Sequence, residues 1–454
     1  MGRVVVLGGG PAGLYAALLL ARRDIPVTLL EREDSPGGLT ASTEVSGIRV
    51  DFGSHRLHPS TDPDILDDLR SILGDDMQTR NRNGRISLDG SWLSFPISPG
   101  ELITRIRPAT LARIAVGGLA ATIRPGRADT FASFINTGLG TPMGDLFYFP
   151  YARKIWGVEP DELSGEQARR RISADTPWRL LGKTFGAGDS GRLFFYPRGG
   201  FGRIATGLAD AASDAGAEIR LGTPARSARR GGDGFVVSTS EDRITADLML
   251  STIPITVLAR FLEPPEEVLR ALGSLRYRAI VLVYFTVPTR QWTPYDAHYF
   301  PGPDVRFTRI SEPKNYRDGP DPEDRTVLCV EVPADVDDGS WTASDEVLAK
   351  EVRNEIINVG LPDPGSEAVV RRIRHAYPIY RVGAEDALDV VAIWLDGVPG
   401  VVSFGRQGLF AHDNTHHAMA MARDAVGCIE GDLSFDSAGW DAAREHFANH
   451  VVED

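Results

Sequence analysis

Residues 3–31 read RVVVLGGGPAGLYAALLLARRDIPVTLLE: an apolar run, a glycine turn, an apolar helix-like stretch and a second apolar run. Val4 to Leu7 carry no polar side chain, as suits a strand buried on both faces of a parallel sheet. Gly8, Gly10 and Gly13 make a G-x-G-x-x-G turn. The first glycine permits the tight turn, the second lets backbone approach a pyrophosphate, and the third lets the helix pack close to the strand. The N-terminus of the following helix then presents free N–H groups to that anion. Glu31 closes the second run, where a carboxylate can hold a ribose 2′-hydroxyl. An acid there favours an unphosphorylated adenosine ribose, as in FAD or NAD, over NADP. Strand, turn, helix and strand in this order predict an α/β, Rossmann-like nucleotide-binding fold.

The rest of the chain fits that start. Its 454 residues correspond to about three structural units at ~150 residues each. With 42% hydrophobic and 24% charged residues it reads as a folded, water-soluble chain. A net charge of −13 provides no global positive field for a polyanion, which argues against nucleic acid as a partner. Only four of the 49 basic residues are lysines (Lys154, Lys183, Lys314 and Lys350), so local arginine clusters remain available for bidentate anion recognition. Cys329 and Cys428 stand far apart, without a C-x-x-C spacing, which fits a reducing cytoplasm. The opening MGRVVVLGGG lacks the parts of a secretory signal. No apolar stretch reaches the ~20 residues of a membrane-spanning helix. The arginine-bearing segment Ile103 to Arg127, with Arg105, Arg107, Arg113, Arg124 and Arg127, reads as a buried bundle helix rather than one resting on a membrane.

After Glu31 the chain continues SPGGLTASTEVSGIRVDFGSHRLHP, with a Gly37-Gly38 pair and a histidine-bearing loop, where a plain nicotinamide dehydrogenase would alternate strand and helix. Together with residues 3–31, this stretch resembles the large FAD superfamily of amine oxidases, protoporphyrinogen oxidases, phytoene desaturases and UDP-galactopyranose mutases. The resemblance implies non-covalent FAD, with Gly37 and Gly38 by its pyrophosphate and His55 over its ring system. It further implies that distant segments complete the FAD domain. AEIRLGTPARSARRGGDGFVVSTS from Ala217 and VVSFGRQGLFAHDNTHHAMAMARDAVGCI from Val401 supply strands, a glycine loop and a closing helix. Gly405, Arg406 and Asn414 fall in that closing motif. The expected layout is a discontinuous FAD-binding domain (1–60, 191–260 and 395–430), a mainly helical substrate or lid domain (61–190), a mixed-sheet substrate-binding domain (261–394) and a C-terminal helical tail (431–454). The sheet domain is read from the extended runs AIVLVYFTV, TVLCVEV and VVRRIRHAYP.

Several middle segments are similar to UDP-galactopyranose mutases: SWLSFP, DLFYFPYARKIWGVEPDELS, LFFYPRGGFGRIATGLAD, HYFPGPDVRFTRISEPKNY and RHAYPIY. This similarity implies Arg309 as a diphosphate-gripping arginine, Tyr299, Tyr316 and Tyr377 as its tyrosine helpers, and Arg406 near the flavin. Guanidinium forks match phosphate oxygens, and phenols add donors without charge. The closing motif departs from the pattern: His412 stands where a tyrosine is expected and His416 where an acid is expected. Histidines there can serve as acid–base groups or anion donors. His412 and His416 sit at i, i+4, but no third ligand is evident in the sequence, so no metal is expected.

Two activities follow from the resemblance. One is an FAD-dependent oxidoreductase that takes hydride from a small anionic or sugar-like substrate. The other is a mutase-like isomerase that uses reduced FAD on a nucleotide sugar. The resemblance also admits NADH or NADPH as reductant and a homodimer as the assembly.

Overall fold

The computed structural model describes residues 2–97, 99–123, 128–171, 193–231, 234–447 and 450–452. Arg124, Arg127 and the stretch 172–190, to which the sequence reading assigned roles, lie outside them. β1 (Val4–Leu7), α1 (Pro11–Ala21) and β2 (Val27–Leu30) form as the opening pattern predicts. β1 sits at the centre of a five-stranded parallel sheet, in register with β2 on one side and Leu248–Ser251 on the other. Val401–Ser403 and Glu218–Arg220 form the two edges. Three separated pieces of chain therefore build one sheet.

Helix α1 is apolar around its whole circumference because it packs between Arg203–Asp214 and Thr415–Gly427. Leu14, Ala16, Ala17 and Leu20 are fully buried there. This triple packing anchors the closing helix against the opening one, so both helix N-termini border the same space. Near the C-terminus, Ser437–Phe447 returns Trp440 and Phe447 to the same core.

The second sheet has seven strands in the order Ala368–Ile379, Arg276–Val287, Thr326–Ala334, Arg309–Ser311, Ala297–Tyr299, Gly84–Leu88 and Ser91–Phe95. The three runs read as extended from the sequence occupy its first three places. The last two strands lie within 61–190, whose described residues are otherwise mostly helical. Gly84, Ile86 and Leu88 are buried and alternate with half-buried Arg85 and Ser87, a period of two. Asp89 and Gly90 turn the hairpin with φ of 52° and 74°, both left-handed, the requirement of a type I′ turn. The Asp-Gly pair was the legible signal. Met77–Asn81 is also a strand, paired with Leu193–Pro197.

Helices Pro99–Arg105 and Pro108–Ile123 only partly fit the buried-bundle reading. A side chain at Gly117 would run into Pro142, so the second helix packs closely there. Its opposite face, however, leaves Val116 at 67% and Leu119 at 58% exposure. Among the described residues no helix is long and apolar enough to cross a membrane.

Candidate active site

A cavity of about 810 Å³ opens between the two sheets, above the C-terminal end of β1. That is where ligands bind in open α/β sheets. Of the residues singled out from the sequence, Gly8, Gly10, Glu31, Gly37, Gly38, His55, Arg309, Tyr377, Gly405, Arg406, His412 and Asn414 border it. Gly13, Tyr316 and Tyr299 do not.

The glycines divide by physical cause. Gly8 has φ of +105°, and a Cβ on it would stand 2.5 Å from Thr252 Oγ1. A Cβ on Gly13 would lie 2.0 Å from the Gly8 carbonyl oxygen, so this glycine serves the contact between helix and strand. Gly10 is different. Its backbone is extended (φ −77°, ψ 174°), and an added Cβ would meet only Gly37 O, at 3.9 Å. The protein itself does not require glycine there; an approaching ligand would. The open backbone at Gly10 and Gly38, beside the N-termini of α1 and Thr415–Gly427, fits a dinucleotide pyrophosphate. Glu31 is buried, accepting from Gly9 N at 2.6 Å and Glu33 N at 2.9 Å. Its remaining lone pairs are available to a ribose hydroxyl.

The cavity lining is basic. Among the described residues ten arginines border it against four carboxylates, although the whole chain is acidic. Arg309 does not carry a surplus charge. Its Nε and Nη2 form a fork on both oxygens of Glu331, at 2.8 and 2.9 Å, and Glu331 also accepts from Ser54 N at 2.7 Å. Arg309, expected to grip a diphosphate, thus borders the cavity as a matched pair with a carboxylate whose side chain is 2% exposed. Glu331 was missed, although a lone acid inside the apolar strand TVLCVEV was its signal.

Tyr316 is likewise corrected from a substrate-facing role. Its phenol is buried against Ser54 Oγ and Arg56, and its ring packs edge-on against Phe194 and Tyr196. Tyr299 accepts from Arg56 Nη1 at 3.0 Å. Arg56 was also missed, although it follows His55 in the G-S-H-R loop. It pairs with Asp296, lies over the Tyr316 ring and borders the cavity.

Tyr377 does face the cavity, flanked by the guanidinium groups of Arg171 at 5.6 Å and Arg406 at 5.4 Å from its ring centre. Burial raises its phenol above the ordinary range, so it stays protonated and can donate. Arg406 also donates to Ala376 O at 2.9 Å. His55 stacks on Phe201, and its Nε2 lies 3.1 Å from Phe52 O. Burial lowers its pKa, favouring the neutral ring.

His412 is fixed by Gln167. Tyr380 N donates to Gln167 Oε1 at 2.9 Å, which turns the amide nitrogen toward His412 Nε2, also at 2.9 Å. Nε2 therefore accepts, and the proton sits on Nδ1. Burial, followed by Arg171, Arg406 and Arg170, pushes this imidazole far below its usual pKa. His412 is a neutral donor rather than an acid–base group at neutral pH. His416 is buried beside His58 and His417 and does not border the cavity.

The model of the family described as flavin containing amine oxidoreductase matches residues 121–389, and that of an NAD(P)-binding Rossmann-like domain matches residues 6–72. The first match covers more than half the chain, which thus belongs to the flavin-containing amine oxidoreductase family. Membership implies FAD as the cofactor. The phytoene dehydrogenase of Streptomyces griseus is 30% identical over 323 residues, covering 65% of this chain and 62% of that protein, less than two thirds of its length. Reduced UDP-galactopyranose mutase superposes with a TM-score of 0.82 at 19% identity, over 100% of both chains. Putrescine oxidase bound to putrescine gives 0.67 at 17% identity, over 94% of this chain and 99% of that one. At these identities the two structures speak to the fold. The superfamily resemblance seen in the sequence holds.

Proposed function

We propose that the chain is an FAD-dependent oxidoreductase that removes hydride from a small organic anion. The charge of the cavity carries this reading: among the described residues, ten arginines against four carboxylates in a chain of net charge −13. Glu331 is engaged by Arg309 and Glu31 by backbone N–H groups, while Arg32, Arg56 and Arg372 are themselves paired with Glu33, Asp296 and Asp345. An FAD pyrophosphate would neutralise part of the remainder, and Arg171 and Arg406 still flank Tyr377. Such a wall attracts an anion and repels a protonated amine.

When bound, FAD supplies the two-electron acceptor, and the protein supplies orientation and electrostatics. Gly10, Gly37 and Gly38 let backbone approach the pyrophosphate, Glu31 holds the ribose, and Gly405, Arg406 and Asn414 close the far side. Arg171, Arg406 and the Tyr377 hydroxyl hold the substrate anion. The neutral His55 and His412 border the same space without adding charge.

The second reading, an isomerase acting on a nucleotide sugar, is favoured by the same anion-binding wall. It loses the support of Arg309, whose charge Glu331 matches.

Anaerobic titration of the FAD-loaded protein tests the proposal. Small carboxylates and sugar phosphates should bleach the flavin absorbance, and amines should not. Bleaching by amines alone overturns the anionic substrate. No bleaching by any of them, with interconversion of UDP-galactopyranose after reduction by NADH, NADPH or dithionite, replaces the oxidoreductase with the isomerase.

A further inference from the structure

The strand Ala368–Ile379 is not regular along its length. Ile373 pairs with Ile280 and Tyr377 with Arg278, leaving Arg374, His375 and Ala376 against the single residue Ala279. The strand bulges there, and a bulge re-aims the side chain that follows it. Tyr377 is that side chain, and it borders the cavity between Arg171 and Arg406. Beyond it the chain is fixed at Tyr380, whose N–H donates to Gln167 Oε1 at 2.9 Å and whose carbonyl accepts from Ser164 N at 2.8 Å.

The bulge is gripped from the other sheet. Gln407 Nε2 donates to His375 O at 2.8 Å and Arg406 Nη2 to Ala376 O at 2.9 Å, successive side chains on successive carbonyls. Both donors sit on the short turn Gly405–Gly408. That turn is tied to the nucleotide-binding sheet by Phe404 N donating to Ser251 O at 3.0 Å and Ser403 Oγ to Gly408 O at 2.7 Å. The clamp therefore joins the two sheets that bracket the cavity. Arg406 has a cation to offer a ligand, whereas Gln407 has none. Gln407 Oε1 is buried with no hydrogen-bond partner among the described residues. A glutamine that leaves half its amide unsatisfied acts through the donor half.

We propose that Gln407 is a positioning residue for the anion-binding group formed by Arg171, Tyr377 and Arg406: its bond to His375 O holds the bulge in the form that sends Tyr377 into the cavity. Arg406 by itself is a poor anchor for the strand, because a bound anion competes with Ala376 O for its N–H groups and makes the stronger, charge-assisted bonds. The neutral amide of Gln407 meets no such competition and stays on its carbonyl. The inference deepens the anionic-substrate reading and rests on it.

The test titrates FAD-loaded protein with sodium sulfate by calorimetry. Gln407→Met removes the donor together with the unsatisfied oxygen, and should bind sulfate about tenfold more weakly than wild type, with FAD content and circular dichroism unchanged. A purely structural glutamine would lower stability and leave the sulfate affinity of the folded protein intact. Tyr377→Phe should weaken sulfate binding too, and Gln407→Met should add little on that background, since it acts through Tyr377. Gln407→Glu should be weak while ionised and recover as pH falls through about 4–6, where the protonated carboxyl again donates to His375 O; Gln407→Met should stay weak across that range. Wild-type affinity in Gln407→Met, or a loss that simply adds to that of Tyr377→Phe, overturns the inference. Absence of sulfate binding by the wild type would count against the anionic substrate instead. A crystal structure of Gln407→Met then decides the role of Gln407, which fails if Tyr377 keeps its place between Arg171 and Arg406.

Discussion

Alanine at Gly10 and at Gly13 separates a glycine kept for a ligand from one kept for packing. At Gly10 the extended backbone accepts an L-residue, and the new methyl meets only Gly37 O at 3.9 Å. Gly10→Ala should leave the apoprotein unharmed, or more stable by about 0.4–1 kcal/mol through the lower entropy of the unfolded chain. The methyl would nevertheless stand where a pyrophosphate approaches. Displacing the equivalent of one charged hydrogen bond, worth about 1.5–3 kcal/mol, raises the FAD Kd about ten- to a hundredfold. At Gly13 the methyl would lie 2.0 Å from the Gly8 carbonyl oxygen, a backbone atom that cannot swing aside. Gly13→Ala should lose about 1–3 kcal/mol or more in the apoprotein. Urea unfolding of both apoproteins, with calorimetric FAD titration, reads the two effects separately. Wild-type FAD affinity in Gly10→Ala, or an apoprotein destabilised as much as Gly13→Ala, would refute the reasoning.

Two further expectations concern buried charge. Arg309→Ala strips Glu331 of its fork partner and should lower stability by about 3–5 kcal/mol, with the Arg309→Ala/Glu331→Ala double variant recovering much of it in urea melts. A single variant of unchanged stability would mean that the pair is not structural. Lys154 donates to Phe300 O and Phe307 O, and burial, opposed by Asp304 and Glu355, lowers its pKa to about 8 from 10.5. Below pH 8 both states carry the proton; from there to about 10.5 the unfolded chain holds a proton that the folded one has shed. Stability should therefore gain up to about 3 kcal/mol with rising pH across that window, relative to Lys154→Met. Parallel pH profiles of the urea midpoint for the two proteins would show this assignment to be mistaken.

The sequence by itself determined the nucleotide-binding end. Backbone sterics and local burial pattern leave little choice when four apolar residues, three spaced glycines and a closing acid follow in order, and β1, α1, β2 and Glu31 lie where that pattern puts them. The Asp89-Gly90 hairpin was equally legible from its turn chemistry and was overlooked. What spacing could not supply were the long-range partners. Only the sheet register sets Glu331 under Arg309, turning an expected phosphate clamp into a neutral pair, and only packing draws Tyr316 behind Arg56. Gln167 fixes the tautomer of His412 from 245 positions away, and His450 meets Asp413 from 37 positions away. Local propensity is written in neighbouring residues, whereas charge balance and protonation depend on what the fold brings within a few ångströms.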